Sequence, residues 1–247
     1  MLDASGWMRQ ELDGRERFDV AKEIIGQIAE TLPTGAWFGL RVFGARRTAT
    51  DPAADVDTQL SIPPAPVEGR RVKTHLETLK VRGKSPLTLS HVEASKDLAA
   101  VPPGVEMTAV LFVDGRDSDR KADPVVAATE LAASRKGMPV HVVGFNVDDE
   151  EIQERLARMA AATGGRYVKA AAAKDLLQGV LGAVKRHDAY AVLDADGREA
   201  ARGVLGDRRE LPAGRYGFVY GAGPARAIWI NPGLPTVVVV EPAKLTK

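Results

Sequence analysis

The run Met107-Thr108-Ala109-Val110-Leu111-Phe112-Val113 is apolar at nearly every position and stops abruptly at Asp114-Gly115. Successive side chains of a strand point to opposite faces, so a strand apolar throughout has to be covered on both sides. That condition selects a parallel sheet with helices above and below it. Val140-His141-Val142-Val143-Gly144-Phe145 repeats the pattern.

The flanking sequence supplies the helices. Phe18, Ala21, Ile24, Ile25, Ile28 and Leu32 recur at helical spacing, with Lys22, Glu23, Gln27 and Glu30 opposite them. Pro33 and Gly35 end that helix, and Trp37 to Phe43 follows as a strand. Asp123 to Lys136 reads as a helix closed by Gly137. Asp148 with Glu151 forms a capping-box-like start for a helix from Glu150 to Ala162, closed by Gly164-Gly165. Arg166-Tyr167-Val168 is a short strand, and Leu176, Leu177, Val180, Leu181 and Val184 define a final helix. Alternation of this kind predicts an α/β fold with a doubly wound, mostly parallel sheet.

Between these elements, Thr58 to Ile62 alternates as an edge strand that Pro63-Pro64 is expected to stop. Val72, Leu76 and Leu79 mark a short helix, Gly83-Lys84-Ser85-Pro86 breaks it, and Leu87 to Leu98 is helical again. At the start, Met1-Leu2 reads as the end of a buried strand that is either very short or continues upstream of residue 1. After His187 the helical spacing disappears. Tyr190 to Leu193, the turn Asp194-Ala195-Asp196-Gly197, Glu199 to Val204, Phe218 to Tyr220, Ala227 to Ile230 and Thr236 to Val240 read as short strands of a small antiparallel sheet or sandwich. The expected domains are residues 1–187 and 188–247.

Charge narrows the function. Thirty-four Lys plus Arg against 33 Asp plus Glu leave a net +1, so no global field steers the chain to nucleic acid or an anionic membrane. Arg41, Arg46, Arg47, Arg70, Arg71 and Lys73 are expected to be scattered and solvated. No apolar run approaches the roughly 18 residues that span a bilayer. The chain has no cysteine, hence no disulfide and no thiolate metal site. Gly83-Lys84-Ser85 lacks the earlier glycine of a phosphate-binding loop, because Thr78 stands there. Asp194 to Gly197 departs from a calcium loop, with Leu205 in the place of the closing glutamate. His75, His91, His141 and His187 are too far apart in sequence for a metal motif. No nucleophile elbow is present, so no enzyme activity is expected.

In an open parallel sheet, binding residues gather at the carboxyl ends of the strands. Three polar loops have that address: Asp3-Ala4-Ser5-Gly6-Trp7, Gly83-Lys84-Ser85-Pro86-Leu87 and Asp114-Gly115-Arg116-Asp117. Their carboxylates and hydroxyls are hard oxygen donors of the kind Mg²⁺ accepts. In order and type these loops resemble the metal-ion-dependent adhesion site of bacterial von Willebrand factor A domains, over residues 1 to about 186. The resemblance implies Asp3, Ser5, Ser85 and Asp114 as metal residues, with Ser85 where the family carries threonine. It departs at Trp7, which stands in the place of a serine ligand and cannot coordinate a cation.

Two outcomes follow for the site: a weakened Mg²⁺ or Mn²⁺ site, or a metal-free surface of the same shape. Trp7 is either a partner-binding aromatic at the rim or packed inward. The resemblance implies a module that binds a protein partner's Asp or Glu carboxylate, at the cell envelope or outside the cell. The alternative is an intracellular, metal-independent adaptor docking onto an ATP-driven assembly or chaperone machine.

Overall fold

The protein's computed structural model describes residues 1–32, 36–102, 105–135, 137–145, 149–170, 189–204, 208–220 and 224–238. The chain divides into two compact units, residues 1–179 and 180–247. The helix expected from Leu176 to Val184 and the boundary at 187/188 lie outside the described residues. So do Pro33, Gly35 and Asp148.

In the first unit the apolar runs become the middle of a six-stranded sheet. Its strands are β1 (Leu2–Asp3), β4 (Trp37–Phe43), β5 (Thr58–Pro66), β6 (Ala109–Val113), β7 (Val140–Gly144) and β8 (Tyr167–Lys169), in the order β5-β4-β1-β6-β7-β8. All neighbours are parallel except β5, which runs antiparallel to β4 at the edge. Leu111, Val113 and Val142 pack with Phe43, Leu87, Ala128, Leu156 and Met159 in one core. Phe112 and Val143, one residue out of phase, are also buried, so the sheet is covered on both faces as the apolar runs require.

Among the described residues five helices do the covering: α1 (Arg17–Thr31), α2 (Gly69–Thr78), α3 (Leu87–Asp97), α4 (Pro124–Ala133) and α5 (Glu150–Ala161). They pack as two groups, α1 with α2 and α3 with α4 with α5. Helix starts are set by local chemistry. The Asp123 side chain accepts from the Val125 amide at 2.8 Å with Pro124 in the first turn. In α5 the cap is Asp149, whose carboxylate accepts from the Ile152 amide at 3.1 Å.

Three departures from the sequence reading have simple causes. Strand β5 does not stop at Pro63-Pro64 but runs on to Pro66, because an edge strand has one side that needs no amide donors. Arg41 is not solvated. It is 8% exposed and grips Asp97 with two bonds of 2.7 and 2.8 Å while donating to Thr58 Oγ1 at 3.0 Å. A small hairpin of β2 (Glu11–Leu12) and β3 (Arg15–Glu16) closes through Asp13-Gly14, both at positive φ, which an Asp-Gly pair adopts readily.

The second unit contains one antiparallel sheet among its described residues, in the order β10-β9-β11-β12. The strands are β9 (Ala189–Leu193), β10 (Glu199–Val204), β11 (Gly214–Tyr220) and β12 (Arg226–Ile230). Tyr190 stacks on Phe218 at 5.2 Å, and Val192 packs beside them. Residues 236–238, expected in a further strand, are in none, and 239–240 lie outside the described residues. No described helix in either unit is long and apolar enough to cross a membrane.

His91 on α3 is fully buried, with Nδ1 2.9 Å from the Leu87 carbonyl and Nε2 unpartnered among the described residues. Burial pulls its pKa from 6.5 down to about 4. The unfolded chain therefore takes up this proton first as pH falls, so His91 costs stability between pH 6.5 and 4, by up to about 3 kcal/mol. Urea unfolding across that range is expected to show a shallower pH slope in His91→Leu than in the native protein. Parallel slopes would mean that His91 does not titrate as its burial dictates.

Candidate functional site

Strands β4, β1 and β6 are adjacent and parallel, so their carboxyl ends lie side by side. Asp3 closes β1, Gly44 follows β4, and Asp114 follows β6. The segment before α3 is drawn into the same place by backbone bonds. Ser5 bridges to Gly83, the Gly6 amide donates to the Gly83 carbonyl at 2.9 Å, and the Gly83 amide donates to the Gly44 carbonyl at 2.8 Å. The Ser118 amide donates to the Ser85 carbonyl at 2.8 Å, tying the loop after β6 to the start of α3.

The structure thus brings Asp3, Ser5, Ser85 and Asp114 together, and all four are buried. The Ser5 amide donates to Asp3 Oδ1 at 2.7 Å, and Ser85 Oγ lies 3.1 Å from Asp3 Oδ2. Ser85 Oγ is also 2.9 Å from the Arg116 carbonyl. Burial, and then the neighbouring Asp114 carboxylate, push Asp3 up to about 8. A protonated Asp3 reconciles these contacts, because it can donate to Ser85 while the single Ser85 proton goes to the Arg116 carbonyl. Ser5 Oγ is buried and has no hydrogen-bond partner among the described residues.

Asp114 is held from one side by its own loop. The Arg116 amide donates to Oδ1 and the Arg116 guanidinium to Oδ2, each at 3.0 Å. The same guanidinium lies 4.1 Å over the ring of Trp7. Trp7 belongs to a 3-10 turn, Gly6–Arg9, that turns Met8 into the core and leaves Trp7 45% exposed at the rim.

Four residues at this site were given no role by the sequence reading. Arg116 was quoted only as part of its loop. Asp117 accepts from the amide and hydroxyl of Thr88 at 2.9 and 2.6 Å, anchoring the first turn of α3. Asp57 accepts from the amides of Arg46 and Arg47 and from the Arg46 guanidinium, shaping the loop after β4. Gly44 sits where three loops meet. Asp117, Asp57 and the stacking of Arg116 on Trp7 depend on partners elsewhere along the chain, whereas the bond from Arg116 to Asp114, two residues back, and Gly44, a glycine directly after an apolar strand, are local.

No protein-family model matches the chain. Two uncharacterized proteins of Bacillus subtilis strain 168 are similar to it. YwmD is 29% identical over 181 residues, covering 72% of this chain and 80% of YwmD. YwmC is 28% identical over 182 residues, covering 71% and 77%. Among solved structures, a von Willebrand factor type A protein from Catenulispora acidiphila matches with a TM-score of 0.59 and 17% identity, over 92% of this chain and 62% of that one.

The chain carries a von Willebrand factor A fold. Other bearers of the fold include the pilus adhesin SpaC of Lactobacillus rhamnosus GG, at TM-score 0.57 and 13% identity, over 77% of this chain and 31% of SpaC. Proximal thread matrix protein 1 of the mussel byssus, with a zinc-occupied adhesion motif, matches at TM-score 0.54 and 12% identity, over 73% and 43%.

Asp3, Ser5, Ser85 and Asp114 fit a hard divalent cation in donor type, and the Ser5 hydroxyl, buried with no hydrogen-bond partner among the described residues, has both lone pairs free for it. Among the described residues no three His, Asp or Glu side chains converge, so an ion here would rest on two carboxylates, hydroxyls and water.

Gly44 holds φ +73°, and a β-carbon there would press on the Lys84 carbonyl and come within 3.0 Å of the Ser5 amide. Gly44→Ala therefore combines left-handed backbone strain with a clash between two site loops. The expected loss is about 2–4 kcal/mol in urea unfolding; a loss under about 0.5 kcal/mol would show that the loops are not locked at this residue.

Proposed function

We propose that the protein is a non-catalytic binding module that works at the cell surface and engages an acidic side chain of a protein partner at the mouth of this site. The observation that carries the reading is the convergence of two buried carboxylates and two serine hydroxyls at the ends of adjacent parallel strands, with Trp7 exposed beside them. A buried like-charged pair is costly unless a proton or a cation offsets it. Nothing in the packing of the core demands it, which points to a binding role for the pair.

Asp3, Ser5, Ser85 and Asp114 would hold Mg²⁺ or Mn²⁺. Such an ion supplies positive charge and an open coordination place for a carboxylate oxygen. The chain's own contribution is geometric. Gly44 and Gly83 fix the loop spacing, Asp117 fixes α3 behind Ser85, and the exposed Trp7 ring offers a flat apolar rim against which a partner side chain packs. Adhesive and matrix proteins among the bearers of this fold support the surface role.

Calorimetric titration with MnCl₂ is expected to show one site, abolished in Asp114→Ala. An array of peptides bearing Asp or Glu, paired with their Asn and Gln counterparts, is expected to retain the protein on the acidic members. Equal retention on both members of each pair overturns the carboxylate reading.

A further inference from the structure

We infer that Arg116, held against Asp114 by the face of Trp7, is a tethered cation that occupies the charge position of the site and competes with a divalent ion for it. The inference rests on the proposed ion-holding role of Asp3, Ser5, Ser85 and Asp114, and concerns two residues outside that set.

Asp114 has no exposure to water, and both of its oxygens are engaged by Arg116, one by the backbone amide and one by the guanidinium. A guanidinium at 3.0 Å from a buried carboxylate oxygen makes a strong charge-assisted bond. The arginine is only two residues beyond its partner, and its carbonyl is pinned by Ser85, so little chain freedom is lost in making the pair. The second contact is the Trp7 ring at 4.1 Å. A planar, weakly hydrated guanidinium stacks on an indole face better than any other side-chain cation.

The residue at position 7 then has two consequences at once. Compared with a serine, tryptophan removes a hydroxyl ligand and adds the platform that keeps Arg116 in place. Both changes act in the same direction, toward a site whose charge is balanced from within the chain. A divalent ion that takes Asp114 has to displace the guanidinium from the carboxylate and from the ring. Mn²⁺ affinity is therefore set by how firmly Arg116 is held as well as by the ligand set.

The test is calorimetric titration of the full chain with MnCl₂, comparing the native protein with Arg116→Gln, Trp7→Leu, Trp7→Phe and Asp114→Ala, each checked by its melting curve. Freeing Asp114 of the guanidinium in Arg116→Gln is expected to tighten Mn²⁺ binding by about tenfold. Trp7→Leu, which keeps bulk but loses the aromatic face, is expected to move in the same direction by a smaller factor. Trp7→Phe keeps a platform and stays closer to native than Trp7→Leu.

If Arg116→Gln and Trp7→Leu bind no tighter than native while Asp114→Ala loses binding, the competition is overturned and the ion-holding role stands. If no chain binds Mn²⁺, Arg116→Gln included, or if Asp114→Ala binds as native does, the ion-holding role fails and the competition fails with it.

Discussion

Asp3 and Asp114 are buried carboxylates at the ends of two strands that pair side by side, and the local structure is arranged around making that arrangement tolerable. Two unscreened negative charges at such a place would repel strongly and lose their hydration. Three devices offset this. Backbone amides of Ser5 and Arg116 are aimed at one carboxylate oxygen each, burial and the neighbouring charge keep Asp3 protonated up to about 8, and Arg116 brings a permanent positive charge to Asp114. The loops that deliver these groups are zipped by backbone bonds among Ser5, Gly44 and Gly83. The polar cluster and the loop geometry therefore depend on one another.

The sheet explains why the cluster forms where it does. Leu111, Phe112 and Val113 are buried on alternating faces, which forces helical cover on both sides and makes the neighbours of β6 parallel. Parallel strands end together, so every residue just past a strand end is delivered to the same rim. Gly44 and Asp114 are such residues, and Asp3 is the last residue of the strand between theirs. Ser85 arrives differently, through the bridge between Ser5 and Gly83, and its hydroxyl links the first strand's carboxylate to the third loop's backbone.

Much of this was legible in the sequence wherever a signal was local. The run ending at Val113 announced a doubly covered strand, the spacing from Phe18 to Leu32 announced α1, and Asp123-Pro124 announced a capped helix start. Asp3, Ser5, Ser85 and Asp114 were legible because each lies beside a strand end or a helix break. The misreadings came where a partner far along the chain decides. Arg41 reads as a surface charge until Asp97, 56 residues away, is brought against it. Pro63-Pro64 reads as a stop until β5 is seen at an edge, where missing amides cost nothing.

The sequence by itself determined the alternation of covered strands and amphipathic helices, the two-part organisation of the chain and the presence of polar residues at successive strand ends, because periodicity and turn chemistry are local properties. Only the tertiary structure decided what those polar residues face. That Trp7 turns outward while Met8 turns in, that the Arg116 guanidinium lies over the indole, and that Gly44 separates two loops with no room for a β-carbon are results of where three distant segments meet. Distance along the chain carries no information about such meetings, and charge, burial and stacking at the site all depend on them.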